Sequence, residues 1–259
     1  SSGEIWLDPN RTHAPFGYLV PLARGGRGLV LEEDQPTLTK TPSTIPKDGL
    51  RQVTCEGIVA HDSKLTVDCQ ETLTGHHAID RRSKLSSYDA ATRVQYVGVF
   101  AKRIFPSSRI HTTLIKHLDS PEKPLILKWS ADTNLTKEDT NEFMLRVGLS
   151  PTYLTRMTVR IPTRTAPLFT MLQFDVDFTL RLRTEGLYRF AHASKKDTVD
   201  HGMLQLERIF EVDEKQQNMT VRKRFHLDVG RVLPQDYRRW VDTARRVDKL
   251  ERVRIMIER

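Results

Sequence analysis

The sequence predicts a mainly β (α+β) fold: antiparallel sheets stacked like a sandwich, with a helical pair and a C-terminal helix. Three observations carry that expectation. Apolar and polar residues alternate through most of 108–229, the period of strands with one buried face. The apolar spacing changes to three and four over 76–104 and again over 234–250, the period of amphipathic helices. The chain of 259 residues is 38% hydrophobic and 29% charged, a balance that suits a globular chain able to bury a large core.

The elements follow in order. Residues 11–48 read as a connector punctuated by Pro15, Gly17, Pro21, Gly25, Gly26, Gly28, Pro36, Pro42 and Pro46. Within it, Gly28 to Leu31 reads as a short strand after a turn. The run Arg24-Gly-Gly-Arg-Gly28 lacks the Gly-Lys-Ser/Thr ending and following helix of a phosphate loop. A hairpin comes next: Val53, Cys55, Gly57 and Val59 alternate with polar residues, and Leu65, Val67, Cys69 and Leu73 return after a turn at 61–63. If Ala60 faces Lys64, Cys55 faces Cys69 and both point to one face. Two readings stay open for this pair. They are buried free thiols, or a cross-strand disulfide favoured by an oxidising compartment.

Tyr88, Ala91, Val94, Val97 and Ile104 mark a helix at 89–104, with a shorter one before it and Pro106 as its stop. The chain beyond 108 reads as strands at 109–117, 124–130, 142–148, 155–160, 170–182, 187–191, 203–212 and 218–229. The last two form the clearest hairpin, around a polar turn at 213–217. Leu172, Phe174, Val176, Phe178, Leu180 and Leu182 give 170–182 the pattern of a long half-buried strand. Pro234 opens the final helix. Tyr237, Trp240, Val241, Ala244, Val247 and Leu250 form its apolar stripe, with Trp240 expected as the core anchor. A strand at 252–257 closes the chain with Val253, Ile255 and Ile257 inward.

The net charge of +8 concentrates at the end: residues 221–259 carry 12 Lys or Arg against 6 Asp or Glu. Such a balance steers toward anionic partners. The interleaved acids, and the lack of an Arg/Gly-rich tract or zinc-finger spacing, favour a solvated helix face over nucleic acid. On that helix Arg238, Arg239, Arg245 and Arg246 surround the apolar stripe, and together with Trp240 they are the candidate partner interface. No run approaches 18 apolar residues, so no transmembrane segment is expected. The N-terminus has neither the basic start nor the apolar stretch of a signal peptide.

No catalytic set emerges from the residues. Cys55 and Cys69 sit mid-strand, away from a helix N-terminus that would stabilise a thiolate. Ser86-Ser87 and Ser107-Ser108 follow no nucleophile elbow. Asp175 and Asp177 share the outward face of one strand. His76-His77 near Asp80 lacks further ligands at metal-binding spacing. No cofactor and no metal is expected.

Residues 5–10, Ile-Trp-Leu-Asp-Pro-Asn, are similar to the last catalytic strand of bacterial transglutaminase-like proteins of the papain-like cysteine protease superfamily. Ala14 to Leu19, Arg27 to Leu31 and Thr41-Pro42 resemble the sequence trailing that strand. Gly75, Ala78 and Arg82, and the Val229-to-Trp240 stretch with Val232-Leu233, match the order of elements that follows. The resemblance implies that Asp8 is the third member of a triad whose Cys and His lie upstream, where it would orient the histidine. It divides the chain into the tail of that domain plus connector (1–48), a hairpin-plus-helices region (49–130) and an antiparallel β domain with the C-terminal helix (131–259).

The leading expectation is therefore a non-catalytic accessory C-terminal region that packs against or positions the enzyme domain, or binds its protein or peptide substrate. Two alternatives accompany it. One is part of an active cysteine peptidase or transglutaminase completed upstream; the other is an adaptor that binds a partner through its basic C-terminal helix. The resemblance also implies a periplasmic or cell-surface setting.

Overall fold

The computed structural model describes residues 6, 12–31, 35–42, 49–170 and 173–259. Its elements are β1 (Arg27–Leu31), β2 (Pro36–Lys40), β3 (Leu50–Val59), β4 (Lys64–Leu73), α1 (Gly75–Ser86), α2 (Ala90–Ile104), β5 (Arg109–Lys116), β6 (Leu125–Asn134), β7 (Thr136–Lys137), β8 (Glu142–Gly148), α3 (Leu154–Thr158), β9 (Leu168–Thr170), β10 (Phe174–Thr184), β11 (Arg189–Phe190), β12 (Lys195–Asp200), β13 (Leu204–Val212), β14 (Asn218–Leu227), β15 (Gly230–Val232), α4 (Tyr237–Leu250) and β16 (Arg252–Glu258). Antiparallel sheets dominate, with few helices and a C-terminal one, as the periodicities predict.

An eight-stranded sheet runs in the order β12-β13-β14-β10-β3-β4-β6-β5, and a four-stranded sheet in the order β11-β16-β8-β7. Every pairing is antiparallel except β3 with β10, which run parallel. A parallel pair needs a long crossover, and here everything from β4 to β9 supplies it. The alternating strands turn one face of the large sheet inward. Over β3, β4, β6 and the nearer half of β10 that face is covered by α1, α2 and the inward residues of β8 and β16. Toward β12–β14 it is covered by α3 and α4, in a second apolar cluster.

Side chains across the inner face fall into rows. One row reads Phe210, Val221, Leu180, Cys55, Cys69 and Trp129. The row beside it reads Arg208, Lys223, Phe178, Val53, Glu71 and Leu127. The second row brings charge inside and lies between the two apolar clusters at its β13–β14 end.

The hairpin register is the expected one: the Ala60 N–H donates to the Lys64 carbonyl and Cys55 pairs with Cys69. The two are disulfide-bonded, with Cα atoms 4.1 Å apart, so the free-thiol reading falls away. Helix α2 starts where Asp89 accepts a 2.7 Å hydrogen bond from the Thr92 N–H, an N-cap that satisfies an otherwise orphan donor.

The structure corrects several elements. The expected strand at 155–160 is the short helix α3. Its β-favouring Thr155, Thr158 and Val159 are overruled by Asp248, whose carboxylate accepts from the Leu154 and Thr155 N–H groups at 2.8 and 3.2 Å. The run 170–182 divides: Thr170 ends β9, Phe174 starts β10, and Leu172 lies outside the described residues. The run 218–229 ends at Leu227, and the following Gly230–Val232 pairs with β9 instead. Strands β2 (Pro-Thr-Leu-Thr-Lys) and β12 (Lys-Lys-Asp-Thr-Val-Asp) carry too few apolar residues to show in the alternation. The division expected at residue 130 falls inside β6, and the large sheet takes strands from both sides of it.

Candidate binding face

A buried ion pair anchors the most distinctive surface. Lys223 and Glu251 have fully buried side chains and pair directly. Lys223 also donates to the Ser150 carbonyl at 3.1 Å. Glu251 accepts from the Thr152 N–H at 2.8 Å and the Thr152 hydroxyl at 2.9 Å, and its own carbonyl accepts from the Leu149 N–H at 2.8 Å. Burial pushes the Lys223 ammonium below its ordinary pKa, with Glu251 acting against that. A charge withdrawn from water this way needs its partner and further hydrogen bonds to persist.

What the pair holds is the turn after β8. Ser150 and Tyr153 both adopt left-handed backbone, φ 50° and 55°, which is costly for residues with a Cβ. The clamp from Lys223 and Glu251 fixes that turn, and the turn sets Pro151 and Tyr153 in a recess of about 540 Å³. Helix α2 forms another wall through Val99, Lys102 and Arg103, with Pro106 just beyond its end. Gly148 permits this approach, because a Cβ there would lie 2.1 Å from the Arg103 carbonyl oxygen.

Arginines also line the recess. Arg146 on β8 and Arg254 on β16 are direct cross-strand partners, and Arg252 follows on the same outward parity of β16. Like charges directly opposite in an antiparallel pair destabilise it. Arg252 and Arg254 also line an adjoining groove of about 990 Å³, to which α4 adds Arg245, Arg246 and Lys249. The groove's carboxylates are engaged already: Asp197 by Arg208 at 3.1 Å and Lys195 at 3.3 Å, and Asp248 by the start of α3. Lys102, Arg146, Arg245, Lys249, Arg252 and Arg254 form no ion pair among the described residues. Some cations on the outer face of the large sheet are paired. There Arg181 pairs with Glu56 at 3.0 Å and Arg222 with Glu211 at 3.0 Å.

The candidate residues read from the sequence divide accordingly. Trp240 is fully buried, with its indole N–H donating to the Thr158 hydroxyl at 2.9 Å. It is the core anchor of α4 and has no surface to offer a partner, which removes it from the expected interface. Arg238 and Arg239 are exposed but line neither recess, whereas Arg245 and Arg246 line the groove, Arg246 also donating to the Thr198 carbonyl at 3.0 Å. Asp8 lies outside the described residues. The sequence reading missed Arg146, Arg252, Arg254 and Lys102. The outward parity of 252–257 was the available signal for the two on β16.

Other polar groups have internal duties. Glu71 meets Arg51 at 2.6 Å and Arg81 at 3.5 Å. Burial pushes the Glu71 carboxyl up, but the two guanidiniums outweigh it and hold it below the ordinary value. Arg82 is buried and donates to the His117 and Ser120 carbonyls, tying down the loop before β6. Burial, then the neighbouring His76, lowers the His77 pKa to about 2, which keeps the ring neutral and unfit for proton transfer near neutral pH. Asp175 faces outward as expected and bonds His226 at 2.6 Å, and Asp228 flanks the other ring nitrogen at 3.1 Å.

No family model matches the chain, and neither a curated protein nor a solved structure matches it. Among the described residues, no group of three or more His, Cys, Asp or Glu could hold a metal ion, and no helix is long and apolar enough to cross a membrane.

Proposed function

We propose that this chain is a non-catalytic binding module, an accessory region of a larger protein, and that its basic face holds the partner. The observation that carries the reading is the row of Arg146, Arg254 and Arg252, cations set side by side with no carboxylate between them. A local conflict of this kind, like charges set directly opposite each other, is expected at a functional site. The cysteines support the same reading from the other side. Both are joined in a buried disulfide, so neither is a thiolate nucleophile.

The resemblance of residues 5–31 makes an upstream transglutaminase-like domain the first partner to test, with that domain's protein or peptide substrate as the second. A periplasmic or cell-surface setting agrees with the disulfide, which persists in oxidising compartments. The test uses this chain mixed with its separately produced upstream neighbour in sedimentation velocity. The module reading expects a complex that Arg252→Glu/Arg254→Glu weakens and Arg181→Glu/Arg222→Glu leaves intact. Turnover of amide or glutamine-donor substrates by this chain alone would overturn it.

A further inference from the structure

We infer that the basic face docks an acidic segment of a partner protein, with one apolar side chain of that segment seated in the recess between α2, the 149–153 turn and β16. The inference rests on the binding-module reading and names the partner's chemistry.

The face offers two kinds of contact side by side. Val99 is 53% exposed on α2, and with Pro106, Pro151 and Tyr153 it gives the recess an apolar lining. A concavity of about 540 Å³ falls in the size range that takes small ligands or anchoring side chains. Arg146, Arg252 and Arg254 line the same recess, and the planar forks of their guanidiniums match carboxylates bidentately. The adjoining groove extends the positive surface along the end of α4 through Arg245 and Lys249. A peptide with one apolar anchor and acids on both sides satisfies both features at once. It also relieves the opposition of Arg146 and Arg254.

Other polyanions fit less well. Single-stranded nucleic acid binds where successive aromatic rings stack its bases. Among the described residues, Tyr153 is the only aromatic lining either recess, and the Arg103 guanidinium lies 5.7 Å from its ring centre. Membrane surfaces are gripped by apolar side chains that project beside basic ones, whereas here the apolar residues line a concavity.

The turn geometry explains why the site persists. Lys223 and Glu251 bond Leu149, Ser150 and Thr152 from within the turn that contains left-handed Ser150 and Tyr153, so the recess wall is fixed before a partner arrives. Preorganisation of this kind lowers the cost of binding.

The test is fluorescence anisotropy of the whole chain with a labelled peptide of alternating Asp and Glu around one central Leu. The expected result is saturable binding that weakens with added salt. Arg252→Glu/Arg254→Glu should lower affinity by about tenfold or more, and replacing the peptide's Leu with Ser should lower it by about tenfold. Arg181→Glu/Arg222→Glu, the same charge change on the outer sheet face, should leave it within about twofold. Circular dichroism and thermal melts check that each variant folds, and Arg146→Glu provides a second disruption should the β16 pair fail to fold. Equal losses from both charge reversals would reduce the effect to net charge and overturn the proposal. An unchanged affinity for the Ser peptide would overturn the anchor, and tighter binding of an RNA oligonucleotide or of phosphatidylserine vesicles would overturn the partner class. Absence of peptide binding also overturns it. If the upstream neighbour still binds through the same arginines, only the partner chemistry has failed and the module reading stands.

Discussion

Lys223 occupies the strand parity that turns Met219, Val221, Phe225 and Leu227 inward, and it is the charged member of an otherwise apolar series. That position was visible in the alternation, but its partner was not. Glu251 lies 28 residues on, beyond α4, and only the fold brings them together. Replacing Lys223 with Met leaves Glu251 buried beside Thr152 without its cation, and should cost about 3–5 kcal/mol. Adding Glu251→Gln should recover part of that loss in urea unfolding; a double variant no better than the single one would refute the pairing argument. Trp240 was readable from the apolar stripe alone, and its complete burial makes Trp240→Ala worth about 3–5 kcal/mol. Exposed Arg239 changed to Ala should stay within about 0.5 kcal/mol. Glu71 supplies a pH dependence. Its folded pKa lies below the ordinary value, so its contribution is full above the unfolded pKa and is lost as pH falls through the lower folded value. Urea midpoints should therefore drop below about pH 4. The Glu71→Gln chain should start lower at neutral pH, because Arg51 and Arg81 lose their partner, and it should show a shallower acid decline.

Elements were legible where a local pattern decides them. The β3–β4 hairpin could be registered from its polar turn, and the registration brought the cysteines face to face. Helix α2 declared itself by spacing and by Pro106, while its Asp89 cap shows only in the structure. The failures share a cause, which is that a distant residue overrules the local preference. Asp248 turns a Thr- and Val-rich stretch into α3. The parallel β3–β10 pair joins Leu50 with Asp175, a partnership no periodicity can announce. The binding face was half legible for the same reason. Arg245 and Arg246 follow from the helix and Arg252 and Arg254 from the outward parity of β16, but Arg146 and Lys102 join them only through the β8–β16 pairing and the close approach at Gly148. The hairpin carries its own prediction. The disulfide closes a short loop of sequence separation 14, so Cys55→Ala/Cys69→Ala should lower stability by about 2–4 kcal/mol through the freer unfolded chain. The measurement is the urea midpoint of the double variant beside that of the parent chain under oxidising and reducing conditions. Reduction should bring the parent close to the variant, and a parent indifferent to reductant would overturn the point.

At the scale of the molecule, the question is how two apolar clusters on one sheet behave as a unit. One gathers around Cys55, Trp129 and the four-stranded sheet, and the other around Trp240 and α4. Between them lies the charged end of a cross-sheet row, Arg208 and Lys223. Apolar contact is thinned there, and polar links take its place. Lys223 bonds Glu251 and the Ser150 carbonyl, and Arg208 donates to the Leu250 carbonyl at 2.8 Å. Strands β10, β13 and β14 run through both clusters without interruption, so neither can open without breaking ladders that belong to the other. The whole should therefore unfold in one cooperative step. The tryptophans allow a direct check. Trp129 reports on the first cluster and Trp240 on the second. In one variant Trp6 and Trp129 become Phe; in the other Trp6 and Trp240 do. Within each variant, the urea transition followed by the remaining tryptophan's fluorescence should coincide with that followed by far-ultraviolet circular dichroism. Independent regions meeting at residue 130 would instead give fluorescence midpoints displaced from the dichroism in at least one variant. Lys223→Met, introduced into either background, should lower the midpoint of both signals together, because the pair it breaks belongs to the seam shared by the two clusters.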